Sequence, residues 1–575
     1  MNARPLTVAV ALTLLSGPIA AQDTPAWTQT GFFAPPENAA PAEPFTGRLV
    51  MTTVPMTIDA DPEDGFIQNP WAWWGIFDFL AEQDPDGAVP LVELVAGLLP
   101  ELSVGFSTDA EGRLVPDTLD IIRRPLEQRT ESFWELIVGP GETWAVSSGE
   151  FAGWNRASFP LSLVQSQEGE AWIGLGAFHY RDGEVSDLYM QVGPVSAGGF
   201  IFWDADFDAT AWAQVPLDMT AYAPDAGDPG LADLASAPLT DLPGAADALA
   251  PFLDRENLLA LAVLENGTLY HSEVETPFGP YPYPDAMRVG VWSISKSLIP
   301  GMAALRLAQV HGPGFLDLPL VSFFDESEFV YADDAARFRW QEVTLRDALH
   351  METGMGPNGY DANWAMDSTN TYEWSYSYAV SEQIERYFGQ GVNPEVGGPG
   401  ERLVYMDQDM WIATLAMQRF LQQQEGPEAT ILSMLQDEVY GPIGAGHLAT
   451  GTSYTETGTP GLPYSAWGAL PTMGLLARAG ELISNGGEGP NGEQILHPEL
   501  VAEFFADDAY RFAFWSQTVE HDGATLHIPK MSGAGGNYVL SLPDGNAIVV
   551  LSRDSYNVEW TDEELNALFA AVLSL

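Results

Sequence analysis

Cysteine is absent from the 575 residues, which excludes a disulfide framework, a thiol nucleophile and a zinc–thiolate site. Any chemistry here rests on oxygen and nitrogen groups. Lysine is nearly absent too: only Lys296 and Lys530 occur, and every other Lys/Arg position is arginine. Lysine, unlike arginine, can lose its proton when buried, so two survivors in an otherwise lysine-free chain are candidates for a chemical role. Positive charge as a whole is scarce, with 22 Lys and Arg against 80 Asp and Glu, a net charge of -58. That field repels nucleic acid and anionic lipid and leaves neutral or cationic small molecules admissible. It also suits high salt, where self-repulsion is screened within a few ångströms.

Metal-binding spacing is missing as well. The eight histidines form no HExxH pattern, and His350 reads as a structural residue. Asp59, Asp61 and Glu63, and again Asp204, Asp206 and Asp208, resemble the start of a calcium loop. Neither set has a glycine at the sixth position or a spaced terminal glutamate, so both read as solvated acidic turns. No metal and no cofactor is expected. Long apolar runs are confined to the first residues, MNARPLTVAVALTLLSGPIAAQ, where one arginine, an apolar stretch and small residues at Ala20 and Ala21 form the layout of a secretory signal peptide. Residues 1–21 are expected to be removed and the rest exported, periplasmic or extracellular in a bacterium, with no membrane insertion afterwards.

What is present suffices for more than one core, since 46% of residues are hydrophobic over a length too great for one ordinary domain. Residues 22–222 are rich in tryptophan, glycine and short alternating runs such as Ala171 to Tyr180, broken by turns such as Arg181-Asp182-Gly183. They predict a β-rich accessory domain, with a helical stretch near Val89 to Leu99. Residues 223–250 have the Pro, Gly, Ala and Asp content of a linker passing into a short helix. In 251–575 a hairpin is expected around Asn266-Gly267, another around Pro543-Asp544-Gly545, and a final helix opened by the capping box Thr561 and Glu564. The stretch from Ser293 to about Glu503 reads as mostly helical. The fold class expected is α+β: an antiparallel sheet covered by terminal helices, with a helical subdomain inserted.

The strongest chemical signal is Val289 to Pro300, VGVWSISKSLIP, running into a helical pattern. A serine three residues before a lysine on a first helical turn shares its face and lies near the positive end of the helix dipole. A lysine held neutral by burial can then take the serine proton. Tryptophans 292, 364, 374 and 411 fall near this chemistry; core packing is their default role, with an aromatic substrate pocket the alternative.

The order of motifs over roughly residues 254 to 575 resembles the serine β-lactamase and penicillin-recognising superfamily, especially its class C and esterase branch with the 6-aminohexanoate-dimer hydrolases. ENGTLY is similar to the first hairpin, WSISKSL to the SxxK segment, LDLPLVSFF to the stretch after that helix, and YGPIGAGH to a proline-glycine turn. VTLRDALHMETGM is similar to a helix-plus-turn segment that in the dimer-hydrolase branch also carries methionine. The resemblance implies Ser293 as nucleophile and Lys296 as its general base. Through PGERLVYMDQDMW it implies Tyr405 as the tyrosine that shuttles a proton, with Asp407 where an amide or hydroxyl normally sits; a carboxylate there favours a protonated Lys296. The third motif falls on Lys530, Met531, Ser532 and Gly533 as substrate-binding residues. If Gly533 is the motif glycine, Met531 occupies the basic position and Lys530 is one step early. Either the anchor is absent or irregular backbone brings Lys530 in. Backbone N–H groups of Ser293 and Ala534 would form the oxyanion hole. The function implied is a serine esterase or amidase acting on a small neutral substrate. The alternatives are a β-lactamase or D,D-peptidase, and a binding or sensor protein with a degenerate site.

Overall fold

The computed structural model describes residues 24–59, 97–122, 132, 134–165, 170–194, 210–224, 230–255, 257–356, 380–394, 396–454, 460–521, 523–553 and 560–575. The signal segment, the acidic residues 61, 63, 204, 206 and 208, and Trp364 and Trp374 lie outside them. Of the helix expected near Val89 to Leu99, only the end is described, and there Leu98–Leu99 is a short strand paired with Val54–Pro55.

The first half is one large antiparallel sheet of mostly consecutive neighbours, running from Asp218–Thr220 through Thr46–Met51 to Thr210–Val215 and Thr57–Asp59. Val215 and Asp218 are two intervening residues apart yet belong to opposite ends of that order, so the sheet curls until its ends meet. Strand alternation sorts its side chains. In Asn155–Gln165, Ala157, Phe159, Leu161 and Leu163 enter the core inside the curl with Trp134, Trp172 and Phe178. In Glu170–Arg181 the alternate residues Ile173, Leu175 and Ala177 enter a different core, shared with the second half of the chain. These two long strands are therefore a party wall buried on both faces. That explains the glycines of AWIGLGAFHY: a Cβ on Gly174 would sit 2.1 Å from the Gln191 carbonyl oxygen.

The second half is built on a seven-stranded sheet in the order Ala235–Pro238, Thr268–His271, Leu258–Glu265, Ala547–Ser552, Asn537–Ser541, Ala524–Gly533, Trp515–His521. All its pairs are antiparallel except the first, which is parallel and comes from the stretch read as linker. Asn266 and Gly267 both have positive φ, the backbone that a two-residue hairpin turn requires. Leu261, Val263, Leu540, Ile548 and Val550 face a core covered by the helices Ala245–Leu253 and Asp562–Leu573. The latter begins at the Thr561–Glu564 capping box. Ala260, Ala262, Val539, Val549 and Leu551 face the larger core, which holds the helices Met302–His311 and Met473–Ser484. At roughly 1.5–3 kcal/mol per large buried apolar side chain, these two faces supply the main drive for folding. The described residues of 294–505, between the strands, are more than half helical, so the architecture is α+β. Among the described residues no helix is long and apolar enough to cross a membrane.

Candidate active site

Ser293 is the N-cap of a helix that starts at Ile294–Lys296, widens into a π turn at Ser297–Gly301 and continues as Met302–His311. The widening has a local cause, because Pro300 has no N–H to give the Lys296 carbonyl one turn back. Trp292, immediately before the serine, has φ 49, a left-handed conformation costing about 1–3 kcal/mol in a bulky residue. The surroundings hold it there: Ser295 N–H donates to the Trp292 carbonyl at 2.9 Å, and Ser295 Oγ donates to the same oxygen at 2.6 Å. Ser293 is thereby partly exposed at a helix start while Lys296 is buried.

Lys296 Nζ is 2.7 Å from Ser293 Oγ, 2.8 Å from the Ala466 carbonyl oxygen and 2.7 Å from Asp407 Oδ1. The ammonium donates hydrogen bonds to the first two, and its contact with Asp407 is an ion pair. Burial by itself pushes Lys296 down, but the Asp407 charge, with further support from Tyr405, outweighs it and holds the ammonium above the usual lysine range. Of the two sequence expectations, a lysine held neutral by burial and one kept protonated by the carboxylate of Asp407, the direction of this shift agrees with the second. Asp407 opens the helix Asp407–Glu425, where a carboxylate is favoured by the dipole. Tyr405 lies just before that helix, its ring centroid 4.9 Å from Lys296 Nζ. The segment that carries it is hung on Met351, whose carbonyl accepts from Val404 N–H at 2.8 Å and whose Sδ accepts from Met406 N–H at 3.3 Å.

A second carboxylate, Asp409, is buried in the same first turn and accepts from the Tyr387 hydroxyl at 2.8 Å. Burial pushes it up to about 8, so at pH 7 it is largely neutral and does not compete with Asp407 for the lysine charge.

Strand Ala524–Gly533 brings the third motif alongside. A Cβ on Gly533 would lie 2.1 Å from the Val291 carbonyl oxygen and 3.4 Å from Ile294 Cγ1, so only glycine lets this strand touch the approach to Ser293. Gly533→Ala should cost about 1–3 kcal/mol by overpacking, read as a lower denaturant midpoint than wild type. A midpoint equal to wild type would mean that the contact gives way freely. Ala534, Gly535 and Gly536 turn into strand Asn537–Ser541, and Asn537 Nδ2 pins the turn by donating to the Ala534 carbonyl at 2.9 Å.

Lys530 does not join this group. Its Nζ donates to Gln517 Oε1 at 2.7 Å and lies 3.8 Å from Asp562 at the start of the terminal helix. Its cross-strand partner Leu540, like Tyr538 opposite Ser532, packs on the terminal-helix face. Lys530 and Ser532 as substrate-binding residues are therefore corrected: regular alternation, with no bulge, turns them away. Met531 points to the correct side but is fully buried in the core. His350 packs edge-on to Phe512 at 4.7 Å, and partial burial pushes it down to about 3.

Several participants left no readable signal in the sequence. Ala466 contributes only a carbonyl, and any residue type could have supplied it. Tyr510 and Trp515 pack with Tyr405, Trp515 stacked on it at 5.8 Å between centroids. They come from a segment more than 100 residues away whose motif content is nil.

No protein-family model and no curated protein matches the chain. Solved structures with a similar arrangement include a family VIII carboxylesterase, 15% identical at a TM-score of 0.42, the alignment covering 59% of this chain and 99% of that one. A penicillin-binding protein homolog from Caulobacter crescentus is 15% identical at a TM-score of 0.39, covering 57% and 95%. The D-amino acid amidase from Ochrobactrum anthropi SV3 is 13% identical at a TM-score of 0.38, covering 57% and 99%.

Proposed function

We propose that this chain is a serine hydrolase that cleaves a small neutral ester or amide through an acyl-Ser293 intermediate. The observation that carries the reading is the 2.7 Å contact between Ser293 Oγ and the buried Lys296 Nζ at a helix start, with Asp407 closing the cluster. A nucleophile and its proton acceptor within hydrogen-bond reach, with a third group orienting the acceptor, is the arrangement nucleophilic catalysis requires. In the reaction, Lys296 must first release one proton of its ammonium to solvent. As the amine it takes the Ser293 proton while Oγ bonds to the carbonyl carbon. Tyr405 passes its proton to the alkoxide or amine as the C–O or C–N bond breaks and is reprotonated by Lys296, the N–H groups of Ser293 and Ala534 hold the oxyanion, and water then displaces the acyl group from Ser293, its second proton returning to Oγ.

The substrate class follows from what the third strand does not provide. Neither Lys530 nor Met531 offers a cation to a substrate carboxylate, and the chain's net charge of -58 disfavours anions generally. The domain reading, with a signal peptide at 1–21, a β-rich unit to 222 and the hydrolase from 251, and the export that it implies, belongs to this same proposal.

The test is intact-mass spectrometry after brief exposure to p-nitrophenyl acetate, penicillin G and a fluorophosphonate, on wild type and Ser293→Ala. Acetyl and phosphonyl adducts that vanish in Ser293→Ala, with no penicillin adduct, are the expected result. A stable penicillin adduct would make the protein a penicillin-recognising enzyme instead. No adduct with any reagent would leave a binding protein with a degenerate site.

A further inference from the structure

The sequence around the nucleophile contains one more buried cation. Arg288 is 5% exposed, five residues before Ser293. Burial lowers its guanidinium to about 10, with the Asp120 charge acting in the opposite direction. A cation in this position needs partners, and it finds backbone dipoles. Nη1 donates to the Leu470 carbonyl and Nη2 to the His447 carbonyl, each at 2.9 Å.

Those two carbonyls flank a single excursion of the chain. Ala449–Thr450 pairs antiparallel with Ala469–Leu470, Thr452–Tyr454 pairs with Pro460–Pro463, and Ala466 presents its carbonyl to Lys296 at 2.8 Å. A tight turn fixes that carbonyl, with Gly468 N–H donating to the Tyr464 carbonyl at 2.7 Å and the Tyr464 and Trp467 rings stacked at 5.7 Å. The neighbouring Ala469 N–H donates to Ser295 Oγ at 2.9 Å, so the far limb touches the nucleophile helix directly. Arg288 also connects to the first half of the chain, because its own carbonyl accepts from Ser162 Oγ at 3.0 Å on the party-wall strand. Tyr281 and Tyr283, a few residues upstream, donate to the Gly174 and Ser158 carbonyls of the same wall.

We propose that Arg288 is a positioning residue: it clasps both ends of the His447–Leu470 excursion, holds the Ala466 carbonyl against Lys296, and ties that geometry to the N-terminal curled sheet. The N-terminal half is then a part of the reactive architecture, the wall against which the approach to Ser293 is fixed. The role rests on the serine-hydrolase reading for its consequence in rate, and on geometry alone for its consequence in structure.

The experiment compares full-length wild type, Arg288→Met and Arg288→Lys by two readouts. The first is the fluorophosphonate labelling rate, corrected for the folded fraction and followed against pH. A misplacement of about 1 Å costs on the order of 10²-fold in rate, so Arg288→Met should label about 10²-fold more slowly per folded molecule. Its pH profile should be displaced because Lys296 has lost an acceptor, and Arg288→Lys, which keeps a charge for one carbonyl, should recover part of the rate. A purely structural role would lower the folded fraction and leave the rate and pH profile of the folded molecules unchanged, which overturns the proposal. The second readout is amide hydrogen exchange over residues 447–470, expected to quicken in Arg288→Met. Unchanged exchange there overturns the proposal even if wild type labels with nothing, an outcome that would separately defeat the hydrolase reading. If Arg288→Met does not fold, Arg288→Lys carries both comparisons.

Discussion

Lys296→Met should slow acyl-enzyme formation by about 10³-fold, the middle of the range for a lost general base, while leaving substrate affinity nearly unchanged. Methionine matches the length of the lysine stem but cannot accept the Ser293 proton. Its effect on stability is separable. The substitution leaves Asp407 without its cation, and breaking such a pair costs about 3 kcal/mol or less here, because Asp407 keeps 17% of its side chain in contact with solvent. The double variant Lys296→Met/Asp407→Asn removes both charges and should regain most of that stability without regaining activity. Urea midpoints and burst-phase rates of p-nitrophenyl acetate hydrolysis measure the two effects. A single variant that acylates within tenfold of wild type would mean that Lys296 is not the base.

Asp407→Asn should move the ascending limb of kcat/KM against pH toward acid. In the wild type the carboxylate outweighs burial and holds Lys296 as an ammonium, so the amine needed for proton transfer is scarce at neutral pH. With an amide in place, burial is the largest remaining influence and favours the neutral amine. Each unit of displacement corresponds to about tenfold in the reactive fraction, so kcat/KM at pH 7 should rise. A loss of activity with the limb unmoved would instead make Asp407 a part of the proton path. Stability provides the complementary sign. A lysine raised in the folded state contributes stability that is complete below its unfolded value near 10.5 and is lost as pH rises through the higher folded value. Wild type should therefore weaken at strongly alkaline pH, and Asp407→Asn should lose that dependence.

These two residues illustrate how far the sequence reaches. SxxK on a first helical turn was legible because helix geometry alone puts i and i+3 on one face. The same holds for the hairpin at Asn266-Gly267 and the capping box at Thr561, where the conformation is dictated within a few residues. Lys530 was ambiguous because a one-residue shift on a strand decides which face it occupies. The register with Trp515 and Leu540 on the two adjoining strands fixes that face.

The sequence by itself determined the chemistry that was open: no thiol, two lysines, one of them a helical turn from a serine, and a net charge of -58 that disfavours anions. It also determined the α+β order of hairpins around a helical middle, since turn residues and apolar periods are local. Only the tertiary structure brought the carboxylate of Asp407, over 100 residues away, and the carbonyl of Ala466 within reach of Lys296. It likewise decided the exclusion of Lys530 and the burial of Arg288 between the two halves of the chain. Backbone acceptors and long-range electrostatics leave no residue-type signature, so no pattern of amino acids announces them.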